Sequence, residues 1–270
     1  MAIKVVSDYL GRSFKMGRKR PIARGPRLSL KNYLVSPLPV PPETCDYTSK
    51  AGKVLLQMLG NDRLGDCTAA SAFHIAGTML ANAGAPITWS TVNQVVPFYS
   101  ATGGYIEGKE STDNGANEVT VLNYWQNFGL LSDGSHKITA WVAIDSRNQQ
   151  EIETAIWLFE NVYFGVECPD AWLNPVPPVS GFKWDVAGGP NPDNGHAFPG
   201  LGYDSEGVTI STWGMTGKIT WPAIKRYCGQ SDGGELYAVL SADMIERASA
   251  KAPNGFDVGQ LMNNIRILQP

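Results

Sequence analysis

The sequence predicts an α+β protein, with helices gathered in the first half and short strands in the second. Three observations carry this. The Ala-rich stretch from Cys67 to Ala83 puts Ala69, Ala72, Phe73, Ala76 and Leu80 on helical spacing. Two further helical patterns follow, EVTVLNYWQNFG ending at Gly129 and Gln149 to Glu160. Beyond Pro169 the runs HAFPGLGYD, GVTISTWG, GKITW and ELYAVLS are short, apolar and separated by turn residues.

Taken in order, residues 1–37 read as a basic arm ending in a Pro-rich linker. Residues 1 to 35 carry nine Lys/Arg against the single acid Asp8, so a net charge of -3 leaves -11 for the rest of the chain. Such an arm is expected to contact an acidic partner, or to be a solvated tail or a strap lying on the acidic body. The run SPLPVPPE (Ser36 to Glu43) is stiff and extended. Residues 38–130 form a helical lobe. In it Asp66 is the expected N-cap, and Gly84 the stop, of the Cys67–Ala83 helix. A Gly-rich polar loop spans Thr102 to Asn117. Residues 131–240 form the strand-rich lobe, opened by the buried strand VYFGVEC (Val162 to Cys168). Residues 241–270 are a C-terminal extension holding one amphipathic helix.

Composition excludes several classes. No run of 18 apolar residues is present, so no transmembrane helix and no membrane partner are expected. The start, MAIKVVSDYLGRSFK, lacks the apolar core of a secretory signal. Cys45, Cys67, Cys168 and Cys228 are scattered, without a CxxC pair, and form neither a disulfide framework nor a zinc site by spacing. A reducing compartment, cytoplasmic or virion-associated, is therefore expected, with no metal and no cofactor.

A cysteine in an Ala-rich helix is ordinarily a small buried hydrophobe. Cys67 differs in standing at the helix N-terminus, where unpaired N–H groups and the dipole favour a thiolate. It also follows a Gly65-Asp66 turn that leaves the backbone open. A useful thiolate needs a base. His74 is two turns along the same helix and cannot reach back; His136 lies in the polar loop GSHK. His196 begins a strand after a Gly-Pro-Asn loop, about 130 residues beyond Cys67, a separation seen in papain-type peptidases.

The residues around this pair resemble the papain-like (C1) cysteine peptidases. Asn61-Asp-Arg-Leu-Gly-Asp-Cys67-Thr-Ala-Ala-Ser71 is similar to the nucleophile motif, in a form closer to bacterial and phage members. Asn194-Gly195-His196-Ala-Phe-Pro-Gly-Leu-Gly202-Tyr203-Asp204 resembles the His strand, and Ile210-Ser211-Thr212-Trp213-Gly214 stands where the family has Asn-Ser-Trp-Gly. Asp113-Asn114-Gly115 resembles the Gly-rich segment beside the cleft. The match in order and spacing runs from about Pro41 to Leu240.

The resemblance implies a two-lobed fold, a helical lobe against a β-barrel-like antiparallel one, with the cleft between them. It implies a Cys67 thiolate paired with protonated His196, and Asn61 with the Cys67 N–H as oxyanion donors. Ser211 would take the third-member position, with Thr212 or a water as the substitute, and Trp213 would shield the imidazole. Gly65, Asp66, Asn114, Gly115 and Gly195 would line the binding cleft. Peptide or protein would be the substrate. The arm matches the family's inhibitory prosegment in neither length nor charge, so activation by its removal is not expected. Asp66 beside the thiol and Ser for Asn leave a second reading open, a papain-fold binding or structural protein with little or no catalysis. A cell-wall or isopeptide hydrolase is a third.

Overall fold

The computed structural model describes residues 3–21, 27–34, 40–87, 89, 92–242, 244–245 and 257–268. The arm opens with a small hairpin, β1 (Val5–Ser7) and β2 (Ser13–Lys15), in the register Val6↔Phe14. Phe14 and Met16 are buried, so this stretch is part of the packed molecule and not a solvated tail. Part of the Pro-rich run, residues 36–39, lies outside the described residues.

The helical half contains α1 (Gly52–Leu55), α2 (Cys67–Ala83), α3 (Val92–Gly103) and α4 (Glu118–Phe128). Both expected ends of α2 are found, Gly84 closing it in the left-handed conformation at φ 72°. Asp66 occupies the N-cap position but makes no side-chain cap bond, its φ/ψ of -100°/19° turning the carboxylate inward. The helix is buried on every side over most of its length, as its uniformly small, apolar sequence allows. Asn117 caps α4 by accepting from Val119 N, 3.0 Å.

An eight-stranded sheet forms the other half. Its strands are β3 (Cys45–Asp46), β4 (Ala140–Ala143), β5 (Val162–Glu167), β6 (Phe182–Trp184), β7 (Gly195–Tyr203), β8 (Gly207–Thr212), β9 (Met215–Thr220) and β10 (Glu235–Leu240). The order is β4-β10-β5-β7-β8-β9-β6, with β3 against the end of β7. Pairing is antiparallel throughout except for β6, which joins β9 in parallel. α5 (Gln149–Phe159) and α6 (Trp221–Tyr227) belong to this half, and α7 (Val258–Leu268) is the helix expected in the C-terminal extension.

The sheet is the wall between two apolar cores. Alternate residues of one strand face opposite sides, so Tyr163, Ala197, Tyr237 and Val239 join the core of α2, α3 and α4. Phe164, Phe198, Leu236 and Ala238 join the core of α5, α6 and the remaining strands. α2 lies along β7, which brings its first residue beside the first residues of that strand. The α+β architecture and the two halves agree with the sequence reading.

Candidate active site

Cys67 opens α2 and is 1% exposed; His196 is the second residue of β7 and fully buried. The imidazole is held from two sides. Its Nε2 lies 2.6 Å from Thr212 Oγ1 on the neighbouring β8. The Trp213 indole stacks on it at 4.3 Å between centroids and 24° between planes. Trp213 and Gly214 are the two loop residues between Thr212 and Met215, both at positive φ (51° and 68°). This is the backbone of a type I′ hairpin, in which a tryptophan pays a steric penalty. The strain aims the indole back over the histidine.

Ser211 does not orient the ring. Neighbouring strand residues point to opposite faces, and the Ser211 hydroxyl donates to Leu55 O, 3.1 Å, on the α1 side. The side chain that reaches the ring is that of Thr212, one residue on. With Nε2–H donating to Thr212, Nδ1 is the nitrogen left to take a proton. It is buried and has no hydrogen-bond partner among the described residues.

Burial also sets the charge state. It pushes the Cys67 thiol up to about 12, opposed by the nearby backbone N–H groups of Ala197 and Gly17 and reinforced by Asp66 and Glu118. Burial alone depresses His196 to about 3. Both shifts favour the uncharged forms, thiol and imidazole, in this covered arrangement. Asp66 is fully buried with neither carboxylate oxygen bonded among the described residues, and burial, then the neighbouring Asp113, holds it well above the carboxylate range. The raised value favours its uncharged form, which weakens the charge it presents to the thiol.

The arm lies against the thiol, with the Gly17 N–H beside it. Residues 14–20 cross the site as an extended strap, and main-chain groups of both walls hold it. Gly195 O accepts from Gly17 N and Arg18 N, each 3.1 Å. On the facing wall Ala116 N donates to Gly17 O, and Lys19 N donates to Ala116 O, both 2.9 Å. The approach is close enough to require glycine on both partners. A Cβ on Gly17 would come within 2.6 Å of Gly65 Cα, and one on Gly115 within 2.7 Å of the Gly17 carbonyl carbon. Gly65, Gly115 and Gly195 thus lie directly against the arm. Asn114 is exposed at its rim, in a groove of about 620 Å³ shared with Lys19 and Asp193.

Asn61 brackets the strap as well. Its backbone O accepts from Lys15 N, 3.0 Å, and its side-chain Nδ2 donates to Lys15 O, 2.9 Å, and Leu64 O, 3.1 Å. Both amide N–H groups are used in this arrangement. The strap's cations meet acids of the body: Lys15 Nζ to Asp113 Oδ2 (3.2 Å) and Glu110 (3.4 Å), Arg18 to Glu235 (2.8 Å), and Arg20 to Glu167 through both nitrogens. Phe14 packs on Trp213 at 5.3 Å. Over this stretch the arm's cations pair with acids of the same chain. The sequence leaves Thr212 as a substitute and offers a strap on the acidic body as one course for the arm, but it does not reach Ala116, Glu118, Glu235 or the strap's path across the site. Only the charge asymmetry hinted at the last.

With this geometry in hand, comparisons with known proteins give the fold independent support. No protein-family model matches the chain, and no curated protein matches it by sequence. Solved structures do. Xylellain, a cysteine protease from Xylella fastidiosa, superposes with a TM-score of 0.65 over 90% of this chain and all of that one, at 13% identity. Procathepsin L 3 from the larval midgut of Tenebrio molitor gives 0.56 over 82% and 75%, at 13%. A Carica candamarcensis cysteine protease gives 0.50 over 74% and 99%, at 15%. At these identities the likeness is one of fold: the chain has a papain-like fold.

Proposed function

We propose that this protein is a thiol peptidase, with Cys67 as nucleophile, His196 as base and acid, and its own residues 14–20 holding the cleft closed. One observation carries the reading. An extended polypeptide already lies across the Cys67–His196 pair, hydrogen-bonded to main-chain groups of both walls, so the cleft is built to take a peptide backbone.

In the open state Nδ1 of His196 takes the thiol proton, and sulfur attacks the scissile carbonyl carbon. The carbon–nitrogen bond breaks as the imidazolium returns its proton to the leaving amine, leaving a thioester on Cys67. Water then attacks the thioester, giving a proton to His196. The carbon–sulfur bond breaks, the proton goes to sulfur, and the acid product leaves. Departure of Lys15 O releases one Asn61 amide N–H, which with the Cys67 backbone N–H supplies two donors for the oxyanion. Thr212 and Trp213 hold the ring in place throughout.

The neutral, covered pair favours a second reading, a papain fold kept for binding and without turnover. Casein digestion by the full chain, its Gly17→Val variant and the Gly17→Val, Cys67→Ala double variant separates the two. The peptidase reading expects cleavage that Gly17→Val increases and Cys67→Ala removes. No Cys67-dependent cleavage by either form would establish the binding reading instead.

A further inference from the structure

Arg18 is the deepest point of the strap. Its side chain is fully buried, its Nη2 donates to Glu235 Oε1 at 2.8 Å, and its Nη1 donates to Gly233 O at 2.6 Å. The walls around it come from the body. Glu235 opens β10, Glu118 opens α4, and Gly165 lies in β5 between them. A Cβ on Gly165 would lie 2.5 Å from Arg18 Nε and 2.5 and 2.6 Å from the two Glu118 oxygens, so the guanidinium and this carboxylate share the space a side chain would fill. Neither Glu118 oxygen nor Arg18 Nε has a hydrogen-bond partner among the described residues. Glu235 is fixed independently of the strap: the Tyr237 hydroxyl donates to its Oε2 at 2.5 Å.

We infer that Glu118, Gly165, Gly233 and Glu235 form a guanidinium-recognising subsite of the cleft, and that the peptides this protein binds there fill it with arginine. The inference rests on the peptidase reading and gives it a substrate class. When the strap leaves, Glu118 loses the guanidinium beside it, the Gly233 carbonyl loses its donor, and Glu235 loses one partner while keeping the Tyr237 hydroxyl and Arg27, 3.7 Å away. A neutral side chain entering the same space leaves the Gly233 carbonyl, Glu118 and one Glu235 oxygen without that partner, whereas an arginine restores every bond. Lysine is the poorer fit. One ammonium cannot reach the Gly233 carbonyl and the Glu235 carboxylate with the paired, planar geometry that Nη1 and Nη2 show here. The position is also set. Gly17 N–H is the strap group beside the thiol, so the subsite receives the residue next to the one at the nucleophile, and the Gly195 and Ala116 main-chain groups that hold the strap hold its replacement.

The test uses the full chain carrying Gly17→Val, which expels the strap without touching the subsite. Capped tetrapeptides with a fluorogenic amide carry Arg, Lys, Leu or citrulline at each of the three positions before the scissile bond. Citrulline keeps the shape of arginine and removes its charge. At one position arginine is expected to exceed citrulline at least 30-fold in kcat/KM, and Glu235→Gln and Glu118→Gln are each expected to cut that ratio at least tenfold. Ratios within threefold at every position overturn the subsite while leaving the peptidase intact. If no peptide is cleaved, the peptidase reading fails, and binding decides the subsite on its own. Fluorescein-labelled Phe-Lys-Met-Gly-Arg-Lys-Arg should then bind the Gly17→Val, Cys67→Ala chain at least tenfold tighter than its analogue with citrulline at the fifth residue. Equal binding refutes the subsite. Should Gly17→Val fail to fold, Lys15→Glu with Arg20→Glu loosens the strap at its outer anchors, and the same readings apply.

Discussion

Replacing Gly17 by valine should turn Cys67 from one of the least reactive thiols in this protein into a reactive one. The Cβ would come 2.6 Å from Gly65 Cα, well inside ordinary contact, and the strap cannot slide away while Gly195 and Ala116 grip it on both sides. It must leave. The four main-chain bonds lost are worth about 0.5–1.5 kcal/mol each, so the closed state gives up roughly 2–6 kcal/mol relative to the open one. That is a shift of about 30-fold to 10⁴-fold in the open population. Chemistry supplies a matching scale. A thiol at about 12 is ionised to only about 3 parts in 10⁵ at pH 7.5, against roughly one in ten for an ordinary cysteine. Iodoacetamide labelling followed by peptide mapping should therefore show Cys67 at least about 10³-fold slower than a free thiol in the unaltered chain. The Gly17→Val chain should label at least about 30-fold faster. Mapping is needed because Cys45 is partly exposed and labels on its own. Ordinary reactivity of Cys67 in the unaltered chain would refute the argument, as would equal rates in the two chains.

Three further outcomes follow from the same geometry. In the Gly17→Val background, Thr212→Val should lower kcat/KM about 10- to 100-fold by freeing the imidazole, whereas Ser211→Ala should leave it within about twofold and cost about 1 kcal/mol in urea unfolding through the lost bond to Leu55 O; the opposite pattern would return the orienting role to Ser211. Raising salt from 0.05 to 0.5 M should speed Cys67 labelling of the unaltered chain by less than about fivefold, since exposed Arg20 is screened but buried Arg18 is not; a 100-fold effect would mean that surface charge alone closes the cleft. His74, 3% exposed, is depressed to about 4 by burial while its Nε2 meets Gln57 O at 3.0 Å. Below pH 6.5 the unfolded chain takes up a proton that the folded chain refuses, so stability falls with pH down to about 4. Relative to His74→Gln, the loss should reach about 3 kcal/mol between pH 7 and 4 in urea titrations; parallel pH profiles would contradict the neutral assignment.

The fold was legible because its signals are local. Small residues from Cys67 to Ala83 can only form a buried helix, Gly84 ends it, and the strands β5, β7, β8, β9 and β10 stand on the apolar runs that announced them. α3 was not legible, because Pro97 sits inside it and reads as a break. Cys67, His196 and Trp213 could be placed because motif order fixes them. Thr212 in place of Ser211 turns on which face of β8 looks at β7, a register the sequence leaves open by one residue. The strap's course across the cleft was illegible for a different reason. Its contacts join residues 14–20 to glycines at 65, 115 and 195 and to acids at 113, 167 and 235, and no local pattern records pairings at such separations.

The charge asymmetry between arm and body acquires a physical meaning from these pairings. A peptide that closed the cleft by apolar contact alone would leave Glu118 buried without the guanidinium beside it and Glu235 short of one partner. Such a state is costly enough to favour opening or to pull water in. Placing Arg18 there removes that cost only while the strap is seated, so closure and the neutral state of Cys67 and His196 come from one event. The reverse also holds. Once the strap lifts, water reaches the pair, and the burial that held the thiol near 12 and the imidazole near 3 is relieved. The helix N-terminus at Cys67 and the ring fixed by Thr212 and Trp213 then act on groups free to exchange a proton.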